Sequence, residues 1–177
     1  MAPLRPALPH DAEAIGALHV RAWQAAYRGL LPDDLLDGLS IPVWVERRRK
    51  ALLSPWGPLV ANHVWEGEAG VLGWASTGPT RDADLDASRV GEVYAIYLEP
   101  VAVGRGHGRV LLEHALGGLV AQGFGEVVLW VLAENARARR FYERAGFAHD
   151  VAAPPKPVVL QGRTLEAQEV RYRRPLL

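Results

Sequence analysis

Hydrophobic positions along this chain follow two different periods. After Asp11, apolar residues such as Ile15, Leu18 and Ala22 recur every three or four positions, which predicts a helix with one buried face and Asp11 as its N-cap. In residues 90–98 apolar and polar residues alternate, which is typical of a half-buried strand. Together the two periods predict strands at residues 4–8, 59–66, 71–77, 90–98, 127–132, 158–161 and 164–173, and helices at 11–28, 33–53, 108–122 and 135–145.

The order of these elements predicts a mixed α/β sheet. Residues 67–70 carry two glycines between two strands, which signals an antiparallel hairpin. The strand at 90–98, the helix after it and the strand at 127–132 form a β-α-β unit, whose two strands are parallel. The last two strands meet at residues 162–163 as a C-terminal hairpin. We therefore expect antiparallel strands, then a central parallel unit, then a hairpin, rather than a doubly wound sheet.

Composition narrows the class of protein. The chain has 177 residues, 49% of them hydrophobic, which predicts one domain over residues 1–177 with a substantial core. No apolar run is as long as a membrane span, and residues 1–6 lack the apolar stretch of a signal peptide, so we expect a cytoplasmic protein without a membrane partner. The net charge is zero, which gives no reason to expect nucleic acid. There is no cysteine, and the six histidines show no paired spacing, so no metal site is predicted.

Three glycines stand between the strand at 90–98 and the next helix. Gly104, Gly106 and Gly108 occupy every second position, so they leave backbone N–H groups uncovered at a helix N-terminus, where anions bind. A nucleoside triphosphate P-loop needs lysine after the last glycine, but arginine is present. A dinucleotide-binding turn needs a third glycine at position 109 or 111, and neither is glycine. The turn therefore predicts a phosphate or pyrophosphate of another kind.

Two motifs together carry a resemblance to a known family. Residues 103–108 resemble the acyl-coenzyme A binding turn of the GNAT N-acetyltransferases, Gln/Arg-x-x-Gly-x-Gly/Ala, with Val103 at the Gln/Arg position. Residues 135–147 resemble the second signature of that family, Asn-x-x-Ala-x-x-Phe-Tyr-x-x-x-Gly-Phe. The order of elements is similar along nearly the whole chain. The resemblance implies that the two parallel strands splay apart and hold acetyl-CoA between them.

By resemblance, the cofactor site combines three segments of the chain. The backbone of residues 96–98 holds the pantetheine arm, the glycine turn holds the pyrophosphate, and Asn135 caps the following helix and binds the pantetheine. Arginines near both motifs, including Arg137 and Arg140, supply positive charge. The predicted cofactor-binding residues are Ile96, Tyr97, Leu98, Val103, Gly104, Arg105, Gly106, His107, Gly108, Arg109, Asn135, Ala138, Arg139 and Tyr142.

Two residues are predicted to carry out catalysis. Tyr142 is the general acid that the resemblance implies, since a phenol can donate a proton to a leaving thiolate. The alternative is a tyrosine that packs on the sheet and donates one structural hydrogen bond. Glu92 is the candidate general base that the resemblance implies, because several members of that family carry a catalytic Glu at this place on the strand, and alternation predicts that it shares a face with Tyr94, Ile96 and Leu98. The alternative is that Glu92 pairs with an arginine, because a buried carboxylate is costly when unpaired.

The acceptor site has no motif of its own. The resemblance implies that the first helices cover the acceptor site, so Trp23 and Tyr27 are candidate substrate-binding residues, and Tyr94 is a third because it is predicted on the face of Glu92. Their aromatic rings can attract a cationic amine, and the alternative is that they pack in the core. The expected reaction moves acetyl directly to a primary amine of a small molecule or peptide in a ternary complex, since no cysteine can carry the acetyl group. Two alternatives stay open: a regulatory module that binds CoA without catalysis, and an unrelated nucleotide-binding enzyme. A homodimer is also open, because the C-terminal hairpin offers an edge.

Overall fold

An eight-stranded mixed sheet lies at the centre of the computed structural model, which describes residues 4–54, 57–68, 70–160 and 162–176. The strands are β1 Leu4–Pro6, β2 Ala61–Gly67, β3 Gly70–Pro79, β4 Val90–Leu98, β5 Glu126–Leu132, β6 Ala148–His149, β7 Lys156–Leu160 and β8 Arg163–Pro175. The helices are α1 Ala12–Tyr27, α2 Asp33–Asp37, α3 Ile41–Leu53, α4 His107–Ala121 and α5 Ala136–Arg144. The strand order is β1-β2-β3-β4-β5-β8-β6, and β7 pairs with β8.

The predicted fold class is confirmed. β1 to β4 pair antiparallel in sequence order, β4 and β5 pair parallel across α4, and β7 and β8 form the C-terminal hairpin. The helical stretch predicted at 33–53 is two helices, because Gly38 ends α2 and α3 begins only at Ile41. Ala69 of the first predicted turn and Gln161 of the predicted strand at 158–161 lie outside the described residues. Within those residues no helix is long and apolar enough to cross a membrane.

Helices cover both faces of the sheet. On one face, Leu112 and Leu116 of α4 pack on Val127 and Leu129 of β5. On the other face, α1 and α3 lie together over β2 to β4. Their backbones approach closely at Gly16, which has no side chain. A Cβ at this position would stand only 2.6 Å from the backbone of Val45. The sheet is therefore enclosed between α4 and the α1–α3 pair.

The prediction that the Asp11 side chain caps α1 is wrong. Asp11 precedes α1, but its side chain makes no capping hydrogen bond to that helix. Its carboxylate instead accepts from the guanidinium of Arg5 at 2.8 Å and from the backbone N–H of Leu8 at 2.7 Å. The nearby arginine offers a stronger, charge-assisted partner than the helix N–H groups.

A buried histidine lies between α1 and α3. The His19 ring stacks on Trp44 with centroids 3.9 Å apart and lies 4.9 Å from the ring of Tyr97. It is 4% exposed, and neither of its nitrogens has a hydrogen-bond partner among the described residues. Burial, aided by the positive charges of Arg48 and Arg47, lowers the pKa of His19 to about 3. His19 is therefore a neutral aromatic component of the core near neutral pH.

β4 contains a β-bulge at Tyr94. Ser76 of β3 pairs with Ala95, but the next residue, Thr77, pairs with Val93, so Tyr94 has no partner in the ladder. A bulge adds one residue to a strand and shifts the alternation of the side chains that follow.

Because of the bulge, the prediction that Glu92 shares one face of β4 with Ile96 and Leu98 is wrong. Val93 and Ile96, three positions apart, both pack on the α4 side of the sheet, and Leu98 follows Ile96 there. Glu92 therefore points to the opposite face, where Tyr97 packs near α1. A regular strand would have kept Glu92 and Ile96 together.

Candidate functional site

β4 and β5 diverge after a short parallel ladder. Their pairing runs from Val90 with Glu126 to Val93 with Leu129, and β4 then continues to Leu98 without β5 beside it. The ladder ends where the bulge begins. The predicted splay between these two parallel strands is therefore present.

The free edge of β4 carries unpaired backbone groups. The Glu99 N–H donates to the Leu72 carbonyl on β3 at 2.9 Å. Hydrogen-bonding direction alternates along an antiparallel ladder, so Ile96 and Leu98 turn their N–H and C=O groups towards the gap. An extended ligand can pair with these groups as an extra strand would.

The glycine turn stands at the end of this gap. Gly104 and Gly106 adopt φ angles of +83° and +82°, which side chains other than glycine rarely accept. Gly106 is the N-cap of α4, and a Cβ at either glycine would meet open space. Among the described residues, no backbone carbonyl outside the helices accepts from the N–H groups of Gly104, Arg105 or Gly106. The turn thus presents donors at a helix N-terminus, which favours an anion.

A cleft of about 930 Å³ joins the turn, the edge of β4 and α5. Three of the predicted cofactor residues do not line it: Arg105, His107 and Arg139. The His107 ring instead packs 4.3 Å from the ring of Trp65. The other predicted residues do line the cleft, namely Ile96, Tyr97, Leu98, Val103, Gly104, Gly106, Gly108, Arg109, Asn135, Ala138 and Tyr142.

Five arginines and one acidic residue, Glu134, line the cleft. Arg139 holds the structure rather than facing the cleft, because its guanidinium donates to the Tyr172 hydroxyl and to the Ala133 carbonyl, both at 2.9 Å. Sequence reasoning did not assign Arg28 or Arg144 to the cofactor, and Arg144 occupies a variable position of the second signature. The arginines that line the cleft are Arg28, Arg109, Arg137, Arg140 and Arg144.

Helix α5 positions Tyr142 in the cleft. The Asn135 side chain accepts from the Ala138 N–H at 3.0 Å, which confirms the predicted helix cap. The Tyr142 ring packs edge-on against Phe141 and Phe147, with centroids 5.2 Å and 5.9 Å away. Burial, with a smaller contribution from Tyr97, raises the pKa of Tyr142 above its ordinary value. No side chain among the described residues hydrogen-bonds its hydroxyl, and the raised pKa keeps that hydroxyl protonated near neutral pH.

Glu92 is held by an arginine. Its side chain is 2% exposed, and Oε2 accepts from the Arg81 backbone N–H at 2.8 Å. The Arg81 guanidinium donates to both carboxylate oxygens. These bonds occupy three of the roughly four acceptor positions of a carboxylate. The ion pair that sequence reasoning kept as an alternative is present, and the catalytic role of Glu92 stays a prediction.

We expect the two partners of this pair to differ in how much stability each supports. Arg81→Ala leaves a buried carboxylate with one backbone donor and should cost about 3 kcal/mol. Glu92→Gln leaves Arg81, whose side chain is 50% exposed, free to be solvated, and should cost about 1 kcal/mol. Urea unfolding of both variants measures the two losses. Equal losses would contradict this account.

The three aromatic residues predicted for the acceptor site lie on the α1 face. Trp23 packs edge-on against Tyr27 at 4.9 Å, and both pack with the cluster around α1 and α2. The Tyr94 hydroxyl donates to the Pro79 carbonyl, and its ring lies 4.4 Å below the Arg81 guanidinium. None of the three lines the main cleft, which reaches α1 through the neighbouring alanines at positions 22, 25 and 26.

Sequence reasoning missed two charged residues on this same face. Lys156 of β7 and Glu169 of β8 stand opposite each other in the hairpin, and both are half-buried. Only the pairing of β8 with β5 brings them near the gap, and no local pattern indicates that pairing. Within the described residues no group of three or more histidine or acidic side chains could hold a metal ion.

Comparison with known proteins connects these features to one family. The family model described as "Acetyltransferase (GNAT) family" matches residues 13–147. The uncharacterized N-acetyltransferase YuaI of Bacillus subtilis strain 168 is 31% identical over 135 residues, covering 76% of this chain and 74% of that protein. A mycothiol acetyltransferase of Mycobacteroides abscessus is 35% identical over 127 residues, covering 72% of this chain but only 38% of that protein.

A solved structure shares the fold. YncA from Salmonella typhimurium, whose structure was determined with its cofactor acetyl-CoA, superposes with a TM-score of 0.71 and 23% identity. The match covers 100% of this chain and 95% of that chain. The splayed strands and the C-terminal hairpin are therefore parts of a fold that other proteins also adopt.

Proposed function

Because this chain belongs to the GNAT acetyltransferase family, we propose that it moves acetyl from acetyl-CoA to a primary amine of a small molecule or peptide. The observation that carries this proposal is the free edge of β4 beside the uncovered glycine turn. One feature suits an extended amide-containing arm and the other suits a pyrophosphate, and both open into one cleft.

The residues of the cleft fit acetyl-CoA. The N–H groups of Gly104 and Gly106 and the N-terminus of α4 would hold the pyrophosphate. The N–H and C=O groups of Ile96 and Leu98 would hold the pantetheine amides. Val103 offers no polar side chain at the usual Gln/Arg position, so the backbone must supply the donors there. When bound, acetyl-CoA supplies an acetyl thioester, whose carbonyl the β4 backbone can polarise.

Tyr142 is the proposed general acid. Tyr142 lines the cleft, and its raised pKa keeps the proton in place near neutral pH until a strong base develops beside it. A leaving thiolate is such a base. The contacts with Phe141 and Phe147 fix the ring, so little reorganisation is needed at the moment of transfer.

Acetyl is proposed to pass directly from donor to amine. The chain has no cysteine for a cysteinyl-acetyl intermediate, so we expect both substrates to be bound together. Thiol release from acetyl-CoA, measured over spermidine, L-lysine, ethanolamine and a tripeptide with a free amino end, tests the proposal. Release that depends on one of these amines supports it. Tight binding of acetyl-CoA without release on any of them would favour the regulatory-module alternative.

Gly106→Ala should weaken acetyl-CoA binding about tenfold to a hundredfold. The new Cβ would strain a backbone with φ +82° and shift the donors at the N-terminus of α4. Gly123→Ala is the matched control, because Gly123 has φ +90° at the other end of α4, away from the cleft. Both variants should lose about 1–2 kcal/mol of stability, and only Gly106→Ala should lose affinity by titration calorimetry. Equal affinities would contradict the proposed role of the turn.

A further inference from the structure

The proposed reaction needs an acceptor for the proton of the amine. A primary amine is mostly protonated near neutral pH, and its nitrogen cannot attack until a proton leaves. Glu92 is poorly suited, because Arg81 occupies most of its acceptor positions and its side chain is 2% exposed. The α1 face of the sheet offers another carboxylate.

The sheet register brings Glu169 beside the gap. If the β4–β5 register is continued past the bulge, Tyr97 comes level with Leu132, the last residue of β5. Leu132 pairs with Glu169 of β8, and Glu169 pairs in turn with Lys156 of β7. Leu132, Glu169 and Lys156 therefore form a row across three paired strands, and Tyr97 lies level with this row on the other side of the splay.

Glu169 points to the α1 face. Leu132 packs with Val20 of α1, and residues directly opposite each other in a ladder share a face. Leu165 and Ala167 stand at every second position before Glu169 on β8, so they share its face, and both pack in that same cluster. The carboxylate is thus on the side of the sheet where Tyr97 faces α1.

The carboxylate of Glu169 is not held by another side chain of the described residues. Among the described residues it makes no hydrogen bond, and no cation lies within ion-pair distance. Burial raises its pKa, the charges of Lys156 and Arg81 lower it, and Glu92 raises it. From the other elements, Tyr27 of α1 and Tyr97 of β4 are close enough that the charge of Glu169 contributes to raising the pKa of each. Glu169 is half-buried and does not line the cleft between the β4 edge and α5, so part of its side chain is open to solvent outside that cleft.

We propose that Glu169 is the general base, which takes the proton of the acceptor amine at the gap between β4 and β5. This inference rests on the proposed acetyl transfer. An ammonium proton passes to a Glu169 oxygen, the nitrogen lone pair forms the bond to the acetyl carbon, and the carbon–sulfur bond breaks with its electron pair on sulfur. Tyr142 gives its proton to that sulfur and regains one from the new amide nitrogen through solvent. Glu169 returns its proton to solvent.

The pH dependence of kcat/KM tests this role with the best amine of the four. Wild type should show a plateau around neutral pH, because Glu169 deprotonates the bound ammonium. Glu169→Gln should lose about a hundredfold at pH 7 and rise about tenfold per pH unit up to the pKa of the amine, since only free amine then reacts. Glu169→Asp should recover part of the plateau. Glu166→Gln, the same change on the opposite, exposed side of β8, should match wild type.

Each outcome decides between the assignments. The assignment of Glu169 is overturned if Glu169→Gln folds with a thermal midpoint similar to that of wild type and keeps the plateau. It is also overturned if Glu92→Gln loses the plateau. In both cases the proposed acetyl transfer stands. The same holds if Glu169→Gln does not fold and Glu169→Asp keeps the full wild-type profile and rate. If wild type releases thiol with none of the amines, the proposed function fails and Glu169 fails with it.

Discussion

Replacing Tyr142 by phenylalanine should lower kcat about a hundredfold to ten-thousandfold, while the dissociation constant of acetyl-CoA changes by less than about threefold. The substitution removes one hydroxyl and keeps the ring that packs against Phe141 and Phe147. Without the hydroxyl, the sulfur must leave as an unprotonated thiolate. Single-turnover kinetics together with titration calorimetry separate the two quantities.

Tyr172→Phe is the matched control for this substitution. The Tyr172 hydroxyl accepts from Arg139 at 2.9 Å and donates to Glu143 at 2.8 Å, on a side chain that is 0% exposed. Its loss should cost about 1–2 kcal/mol of stability and leave kcat unchanged. A Tyr142→Phe variant with wild-type kcat would remove Tyr142 from the chemistry.

Acid should destabilise the fold through His19. The unfolded chain protonates this histidine below about pH 6.5, whereas the folded protein keeps it neutral down to about pH 3. The unfolded state therefore binds one more proton between these values, so the free energy of unfolding falls as pH falls. The contribution is about 1.4 kcal/mol per pH unit and about 5 kcal/mol over the full window. That is comparable to the whole stability of many domains.

His19→Phe isolates this contribution. Phenylalanine keeps a flat ring between the helices and cannot take up a proton, so urea unfolding at pH 7, 6, 5 and 4 should show a shallower decline than in wild type. Carboxylates add the same slope to both proteins, so the difference between the two curves reports His19. Parallel curves would show that the imidazole is not buried neutral.

The fold and the cofactor side of the site could be predicted from the sequence because their signals are local. Gly104 and Gly106 mark a turn that needs positive φ, and Asn135 marks a helix start that its side chain then caps. Short-range geometry determines each of these. The parallel unit followed from the helix that lies between β4 and β5.

The acceptor side could not be predicted because its geometry depends on pairing between distant segments. No local pattern shows that Tyr94 bulges out of the ladder, and a strand read as regular places Glu92 on the wrong face. Arg81 reaches Glu92 across a loop, and Glu169 reaches the gap only because β8 pairs with β5. Such contacts are set by the whole sheet.

The bulge at Tyr94 also divides β4 into two halves that can vary separately. Before it, Val93 and its neighbours hold the strand against β5 and α4, so substitutions there affect folding. After it, the strand is free on one side, so substitutions there affect ligands. Deleting Tyr94 would make Val93 and Ala95 adjacent, as their partners Thr77 and Ser76 already are, so the regular repeat would return with Ile96 and Tyr97 on their present faces. A one-codon deletion would therefore show whether the separation of β4 from β5 depends on the bulge itself, because the other side chains of the strand keep their orientation.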